Sequence, residues 1–412
     1  MTPTNKTLLA GAMVLCASAA VVVGVFCRDR VDMGGTSVTP VDGLVASRGD
    51  EVPEGDYFYE ISQLLKQRYV EPITDEQKLA LGAIRGMVTS LGDPDSLYMD
   101  KDEYRVFENA KQGKYEGIGV QLELIYDKPA DKGQKSAVAA ADSDEVLLGG
   151  LRIPKLTVVT VVPGSPADKA GLKPGDWIEY VDDHWVPNAD TVASFRRLQR
   201  DVVQGKAKME QLVKVRAELK VRTKRTLLPL KAKDRLVMGD NGSVKLTWQH
   251  SGVAKSATIA KHESVLSGFK DEGGVIQLQF FKGSDDLLRK AVADKAEVTI
   301  DLRNNANGDL QTMKNCLALL APSGNYGVFK SNKKSVALSV LTGATKRPKV
   351  TLLVDGSTRG LAEIFALALS SHDLAKLSGP KMAGHQIVVE DSSLPEGAGY
   401  TLATAEYQVA AK

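Results

Sequence analysis

The chain has 412 residues, enough for two or three domains with separate cores, and its 43% hydrophobic and 25% charged residues belong to a folded protein and exclude a disordered or fibrous one. A formal net charge of +2 gives no argument for a nucleic-acid partner, and three cysteines exclude a disulfide framework.

The first predicted element is the apolar run Leu8–Phe26, 19 residues without a charge, with Lys6 before it and Arg28 and Arg30 after it. At about 1.5 Å per residue it just spans a bilayer core of about 30 Å. A cleaved signal peptide is the rival reading, with Ala17-Ser18-Ala19 as the small-residue site. The apolar residues continue past that site, which favours an uncleaved anchor over residues 1–30. Membrane contact is therefore expected through the N-terminus, with the rest of the chain extracytoplasmic (periplasmic or cell envelope), or secreted if the signal is cleaved. Residues 31–55 are rich in Gly, Pro, Asp and Ser and read as a linker.

Residues 56–113 form a helical lead-in segment. Phe58, Ile61, Leu64 and Leu65, then Leu79, Leu81, Ile84, Met87, Val88 and Leu91 recur at helical spacing and predict two helices, with Thr74 or Asp75 capping the second. GKYEGIGVQLEL (113–124) predicts a glycine loop opening a strand, and residues 125–154 a flexible insertion. In LTVVTVVPGSPADKAGLKPGDWIEYV (156–181) a valine strand turns at Pro163-Gly164, Ser165 caps a short helix ending at Gly171, and Pro174-Gly175-Asp176 turns into a second strand.

From Gln204 to Arg235 there are eleven Lys or Arg against three acids. Within this stretch Val213, Val215, Ala217, Leu219 and Val221 alternate with Lys214, Arg216, Glu218, Lys220 and Arg222, the pattern of a half-buried strand with a charged face. This basic insert, placed at about 204–240, reads as a solvated face or as a contact for anionic lipid or an acidic partner. It has no aromatic residue for base stacking, so no nucleic acid is expected. SVKLTW (243–248) and KSATIA (255–260) predict two further strands. After about residue 274, strands VIQLQF, VTIDLR, VTLLVD and YTLATA alternate with helices SDDLLRKAVAD, GDLQTMKNCLALLA and LAEIFALALSS, which predicts a layered α/β core.

The order of these motifs resembles the C-terminal processing proteases, PDZ-containing serine peptidases of family S41. YVEPITDEQKLALGAIRGMVTSLGDPDSLYMDKDEY resembles the family's helical segment, GKYEGIGV the start of its PDZ domain, VVPGSPADKAGLKPGDWIEYVDD the body of that domain, and IDLRNNANGDL its L-D-L-R-N-N-P-G-G turn. The resemblance implies a mixed α/β fold: a PDZ β-sandwich-like domain over 114–268, with the two insertions, and a peptidase-like core over 274–412. It implies no cofactor. It implies that Gly117, Ile118, Gly119 and Val120 form a loop whose backbone N–H groups hold a peptide carboxylate, so that partners are protein C-termini or extended peptides.

The same resemblance implies a Ser-Lys dyad, and here the chain departs from the family. The nucleophile motif S-A-S-A-S-E-I becomes STRGLAEI, which puts Gly360 at the serine position. The lysine of G-E-x-T-F-G-K becomes His385, and the glutamine four residues on becomes Val389. The oxyanion turn has Ala306-Asn307 before Gly308 where the family has Pro-Gly. No catalytic dyad is intact, and the expectation is a pseudoprotease. Ser357 and Lys381 are the candidates for a displaced dyad and an active serine endopeptidase; the third reading is an envelope scaffold contacting its partner through the basic insert. Ser370-Ser371-His372-Asp373 reads as a helix end, Ser357 as a turn residue or cap, and His385 as a solvated loop histidine. The five histidines lack metal-ligand spacing.

Overall fold

The computed structural model describes residues 54–126, 153–239, 241–306, 308–344 and 346–409. The predicted anchor at 1–30, nearly all of the linker at 31–55 and most of the insertion at 125–154 lie outside them. Among the described residues no helix is long and apolar enough to cross a membrane.

The chain divides into two units, Met1–Ala80 and Leu81–Lys412. In the first, helix α1 (Glu54–Arg68) is followed by the start of α2 (Glu76–Ser90). The Lys78 N–H donates to Asp75 Oδ1 at 2.9 Å, so Asp75 supplies the cap that the sequence offered.

The second unit begins with β1 (Tyr98–Met99) and α3 (Lys101–Lys111), which starts at a reciprocal capping box between Asp100 and Glu103. The strands β2 (Lys114–Tyr115), β3 (Val120–Ile125), β4 (Lys155–Val161), β5 (Trp177–Val181) and β6 (His184–Trp185) follow, with the short helix α4 (Pro166–Lys169) capped by Ser165. Next come α5 (Ala189–Val203), α6 (Met209–Thr223), α7 (Pro229–Val237), β7 (Ser243–His250), β8 (Val253–Ala260) and β9 (Ser264–Val265). One antiparallel sheet runs β3-β4-β5-β7-β8, with β6 on β5, so β3 is an edge strand. Leu122, Val158, Ile178, Leu236, Leu246 and Trp248 fill its core.

The basic stretch is not a strand. Residues 209–223 are helix α6, and the alternation in VKVRAELKVR is broken between two helical faces. Leu212, Val215, Leu219 and Arg222, at spacings of three and four, are half-buried, while Met209, Val213, Ala217 and Val221 are exposed. Its Met, Glu, Gln, Leu, Lys, Arg and Ala residues are strong helix formers, and the sheet offers this segment no strand to pair with. The extent of the insert also changes. Trp185 pairs with Thr226 across the base of an α5–α6 hairpin, and α7 buries Ala232, Leu236 and Val237 in the sheet's core. The added element is the hairpin; residues 229–237 belong to the domain itself.

The C-terminal part contains β10 (Phe269–Glu272), β11 (Val275–Leu278), α8 (Ser284–Val292), β12 (Glu297–Asp301), α9 (Leu310–Leu320), β13 (Gly324–Lys330) and β14 (Ser335–Val340). It ends with β15 (Lys349–Leu353), α10 (Leu361–Ser370), β16 (Ala375–Ser378), β17 (Ile387–Ser393) and β18 (Gly399–Gln408). Strands β11, β12, β15 and β16 are parallel neighbours with β10 antiparallel at one edge, and a second, antiparallel sheet joins β1, β18, β13, β14 and β17. Helix α10 is apolar on all sides because it is buried on all sides: Ala362, Ile364, Phe365, Ala366, Ala368 and Leu369 are in the core. The mixed α/β expectation holds. The sequence reading does not contain β13, β14, β16 or β17, whose short strands carry mostly half-exposed or exposed residues and gain their order from pairing.

Candidate functional site

Two turns meet at the carboxyl ends of parallel strands β12 and β15, the usual place for a site in such a sheet. The turn after β15, Asp355–Gly360, is cross-tied to the turn after β12. The Thr358 hydroxyl donates to the Leu302 carbonyl at 3.1 Å, the Asn304 N–H donates to Ser357 Oγ at 2.6 Å, and the Arg359 N–H donates to the Asn305 carbonyl at 3.0 Å. Gly360 is the N-cap of α10, with φ 52° and ψ −124°, a conformation close to glycine-only. This sharp strand-to-helix elbow presents residue 360 at a helix N-terminus, the geometry that exposes a nucleophile in hydrolases. A Cβ built there meets nothing closer than the Ala306 carbonyl at 4.0 Å, so the elbow has room for a side chain that the sequence does not supply.

His385 lies beside it: the Gly360 N–H donates to the His385 carbonyl at 2.8 Å. The imidazole is not a solvated loop histidine. Nε2 donates to both oxygens of Asp95, at 3.0 and 2.9 Å, and the two side chains are only 22% and 16% exposed. Burial works against the charged ring, but the Asp95 hydrogen bond and charge outweigh it and hold the pKa above the ordinary histidine value. The loop that carries His385 is anchored by Glu363, which is 2% exposed and accepts from the Gly384 and His385 N–H groups at 3.0 and 2.9 Å and from Gln386 Nε2 at 3.0 Å. Among the described residues, Asn305 Oδ1, Arg359 Nε and His385 Nδ1 are buried without a partner, and all three residues adjoin the elbow. Orphaned polar atoms gathered at one place mark a site rather than a packed core.

A cavity of about 290 Å³ runs from this elbow to the antiparallel domain. Asp95, Gly360, Leu361 and His385 line one end; Val120, Leu122, Glu123, Leu230, Lys233 and Val237 line the other. Two polar links hold the parts together. Asn304, at φ 58°, accepts from the Val161 N–H and donates to the Val161 carbonyl, both at 2.7 Å, and Arg359 donates to Glu123 on β3 at 2.7 Å.

The remaining predicted residues fall as follows. Ser357 is 4% exposed; its hydroxyl donates to Asp355 and accepts from Asn304, so it is a turn residue and not a cap. Lys381 is exposed, and the structure does not bring it to Ser357. Ser370–Asp373 ends α10, as expected. Asn307 lies outside the described residues. Gly308 pairs with Phe280, whose carbonyl and Cβ leave no room for a side chain. Gly117 and Gly119 have φ of 72° and 80°, and a Cβ on either would run into Leu236 or Ser165. The carboxylate-loop expectation is narrowed here: the Gly117 and Ile118 N–H groups already donate to the Gly239 and Leu236 carbonyls at 2.9 and 3.0 Å, so the loop's first two donors are spent on the end of α7. Val120 lines the cavity. Sequence reasoning missed Asp95, Glu123, Arg359 and Lys233. Only Arg359, beside the empty nucleophile position, carried a local signal.

A parallel-sheet core with a nucleophile-type elbow, joined to an antiparallel domain in which β3 is an edge strand among the described residues, is a hydrolase-like architecture. The profile of Peptidase family S41 matches residues 272–411, that of the PDZ domain residues 157–200, and that of the activating protease CtpB N-terminal domain residues 45–103. The chain is 25% identical over 397 residues to carboxy-terminal processing protease CtpB of Bacillus subtilis (strain 168), covering 95% of this chain and 68% of that protein. It is 26% identical over 366 residues to carboxy-terminal processing protease CtpA of the same organism, covering 89% and 67%. Its fold matches that of the photosystem II D1 C-terminal processing protease with a TM-score of 0.55 at 17% identity, over 87% of this chain and 89% of the other. Residues 272–411 thus carry a peptidase family S41 region and residues 157–200 a PDZ domain, and the chain is homologous to the CtpA and CtpB C-terminal processing proteases.

Proposed function

We propose that this chain is a pseudoprotease: a PDZ-bearing S41 protein that holds protein C-termini or extended peptides without cleaving them. One observation carries the reading. The elbow that would present the nucleophile holds Gly360, and among the described residues lining the cavity there is no serine or cysteine. The lining hydroxyl of Thr401 already donates to the Asp95 carbonyl at 2.8 Å. An elbow without a nucleophile has no group to form an acyl intermediate. Among the described residues β3 is an edge strand beside α7, which supports the binding half of the reading, since an extended peptide can add to such an edge as a strand.

The apolar run Leu8–Phe26 supports an extracytoplasmic protein held at a membrane by its N-terminus. The displaced pair is disfavoured because the Ser357 hydroxyl is buried against Asp355 while Lys381 is exposed. The deciding experiment incubates the purified chain with unstructured peptides bearing free C-termini and follows cleavage by mass spectrometry alongside binding. Binding without cleavage is expected. Cleavage abolished by Ser357→Ala would refute the pseudoprotease reading.

A further inference from the structure

Lys233 is the unexplained cation of the cavity. It lies on α7, facing the space between that helix and the edge strand β3, among Leu230, Val237, Val120 and Leu122. Its surface exposure is intermediate, yet enough of the chain surrounds the amine that desolvation lowers its pKa. Three carboxylates stand near it, and each has donors of its own. Glu123 accepts from Arg359 at 2.7 Å, Asp234 from Lys231 at 3.0 Å, and Glu103 from the Asp100 N–H at 2.9 Å with Lys231 at 3.9 Å. Among the described residues no hydrogen bond or ion pair engages Lys233. A desolvated cation without a partner is costly, and a ligand anion that pairs with it removes the cost.

Its position suits a peptide on β3. Lys233 is about one helical turn before Leu236, whose carbonyl receives the Ile118 N–H. Lys233 lines the same cavity as Val120, Leu122 and Glu123 of β3, and its helix ends at the loop whose first two N–H donors are already spent. We propose that Lys233 binds a carboxylate of a peptide laid along the β3 edge, compensating for those occupied loop donors. This inference rests on the peptide-binding reading of the same groove. The carboxylate is the peptide's C-terminus or an Asp or Glu side chain near it; both offer the same charge-assisted hydrogen bond.

Binding to the full chain is measured for three forms of one apolar peptide: free C-terminus, C-terminal amide, and amide with an added Glu. The unmodified protein is expected to bind at least one carboxylate-bearing form about tenfold tighter than the plain amide. Preference for the free acid alone assigns the C-terminus; equal preference for the Glu amide assigns a side chain. Lys233→Met is expected to bring the affinity ratio of the carboxylate-bearing form to the plain amide down to about one, and Lys233→Arg to retain most of that ratio. Lys231→Met, at the exposed neighbour, is expected to change the preference less than twofold. Thermal melts of each variant establish that it is folded. Retention of the full preference in folded Lys233→Met overturns the assignment and leaves peptide binding standing. Failure of the unmodified protein to bind any form overturns the peptide-binding reading and this inference with it.

Discussion

Gly360→Ser tests whether the shell of the site is intact. The added Cβ meets no atom closer than 4.0 Å, so the steric cost is small. The backbone cost is larger: φ 52° and ψ −124° lie where an L-residue is strained by about 1–3 kcal/mol. Loss of glycine's freedom in the unfolded chain returns about 0.4–1 kcal/mol. The net is about 1–2 kcal/mol of destabilisation, a few degrees in Tm for a domain of this size. The gain is chemical. The introduced hydroxyl stands at the N-terminus of α10, next to the loop that carries His385, whose Nε2 is held by Asp95 and whose Nδ1 has no partner among the described residues. The test is whether this carboxylate-oriented imidazole can serve a serine at 360 as its base. In sequence, Ala306-Asn307 stands where the resemblance implies the oxyanion turn's Pro-Gly, and one missing oxyanion donor costs about 10²–10³ in rate. Covalent labelling by a fluorophosphonate is therefore expected, with little peptide turnover. Because a neutral ring is needed and Asp95 holds the imidazole pKa up, labelling should rise with pH to above the ordinary histidine range. Adding His385→Ala should remove most of it. A folded Gly360→Ser protein that takes no label, or labels equally without His385, refutes the idea that Asp95 and His385 form a usable base.

Other outcomes follow from the same contacts. His385 titrates higher in the folded than in the unfolded chain, so its pair with Asp95 stabilises fully below about pH 6.5 and loses that contribution as pH rises through the folded pKa; Asp95→Asn should flatten this part of the stability–pH profile, and an unchanged profile in urea melts would count against the pair. Arg359→Gln leaves Glu123 half-buried without its cation and should cost about 1–3 kcal/mol, measured by denaturant unfolding, with Glu123→Gln recovering part of the loss. Replacing Lys214, Arg216, Lys220 and Arg222 with Gln on the exposed hairpin should weaken salt-sensitive binding to anionic vesicles; equal binding at low salt would make the basic face merely solvated. Arg222 also contacts Glu179 at 3.3 Å, so the variant's melt must be compared with that of a triple variant retaining Arg222.

Local chemistry made much of the fold legible. The cap at Asp75, the turn and cap at Pro163–Ser165, the parallel strands β11, β12 and β15 and the apolar helix at 361–370 each follow from residues within a few positions of one another. Period-two alternation misled at 213–222, because ten residues alternating Val, Ala and Leu with Lys, Arg and Glu satisfy a strand template while their propensities, with no strand partner among the described residues, select a helix. The site divided along the same line. Gly360 and His385 were found because each lies inside a local motif. Asp95 is 290 residues from His385, and Glu123 is 236 residues from Arg359, so neither pairing leaves a local trace. Lys233 sat inside a basic run whose charge hid its burial.

The frame of the site is held by residues other than Gly360. Glu363 receives two backbone N–H groups and the Gln386 amide, and this alone fixes the loop that carries His385. Ser357, Thr358 and Asn304 tie the two turns together, and Asn304 and Arg359 tie those turns to the PDZ strands. None of these contacts uses the side chain at 360, and glycine there relieves backbone strain that a serine would carry. Glycine at 360 is thus neutral or stabilising for the fold, whereas loss of Glu363 would remove the acceptor shared by the N–H groups of its partner loop, at about 1–3 kcal/mol for a donor left unsatisfied. A side chain at 360 is therefore dispensable for folding, whereas the frame of hydrogen bonds around it is not.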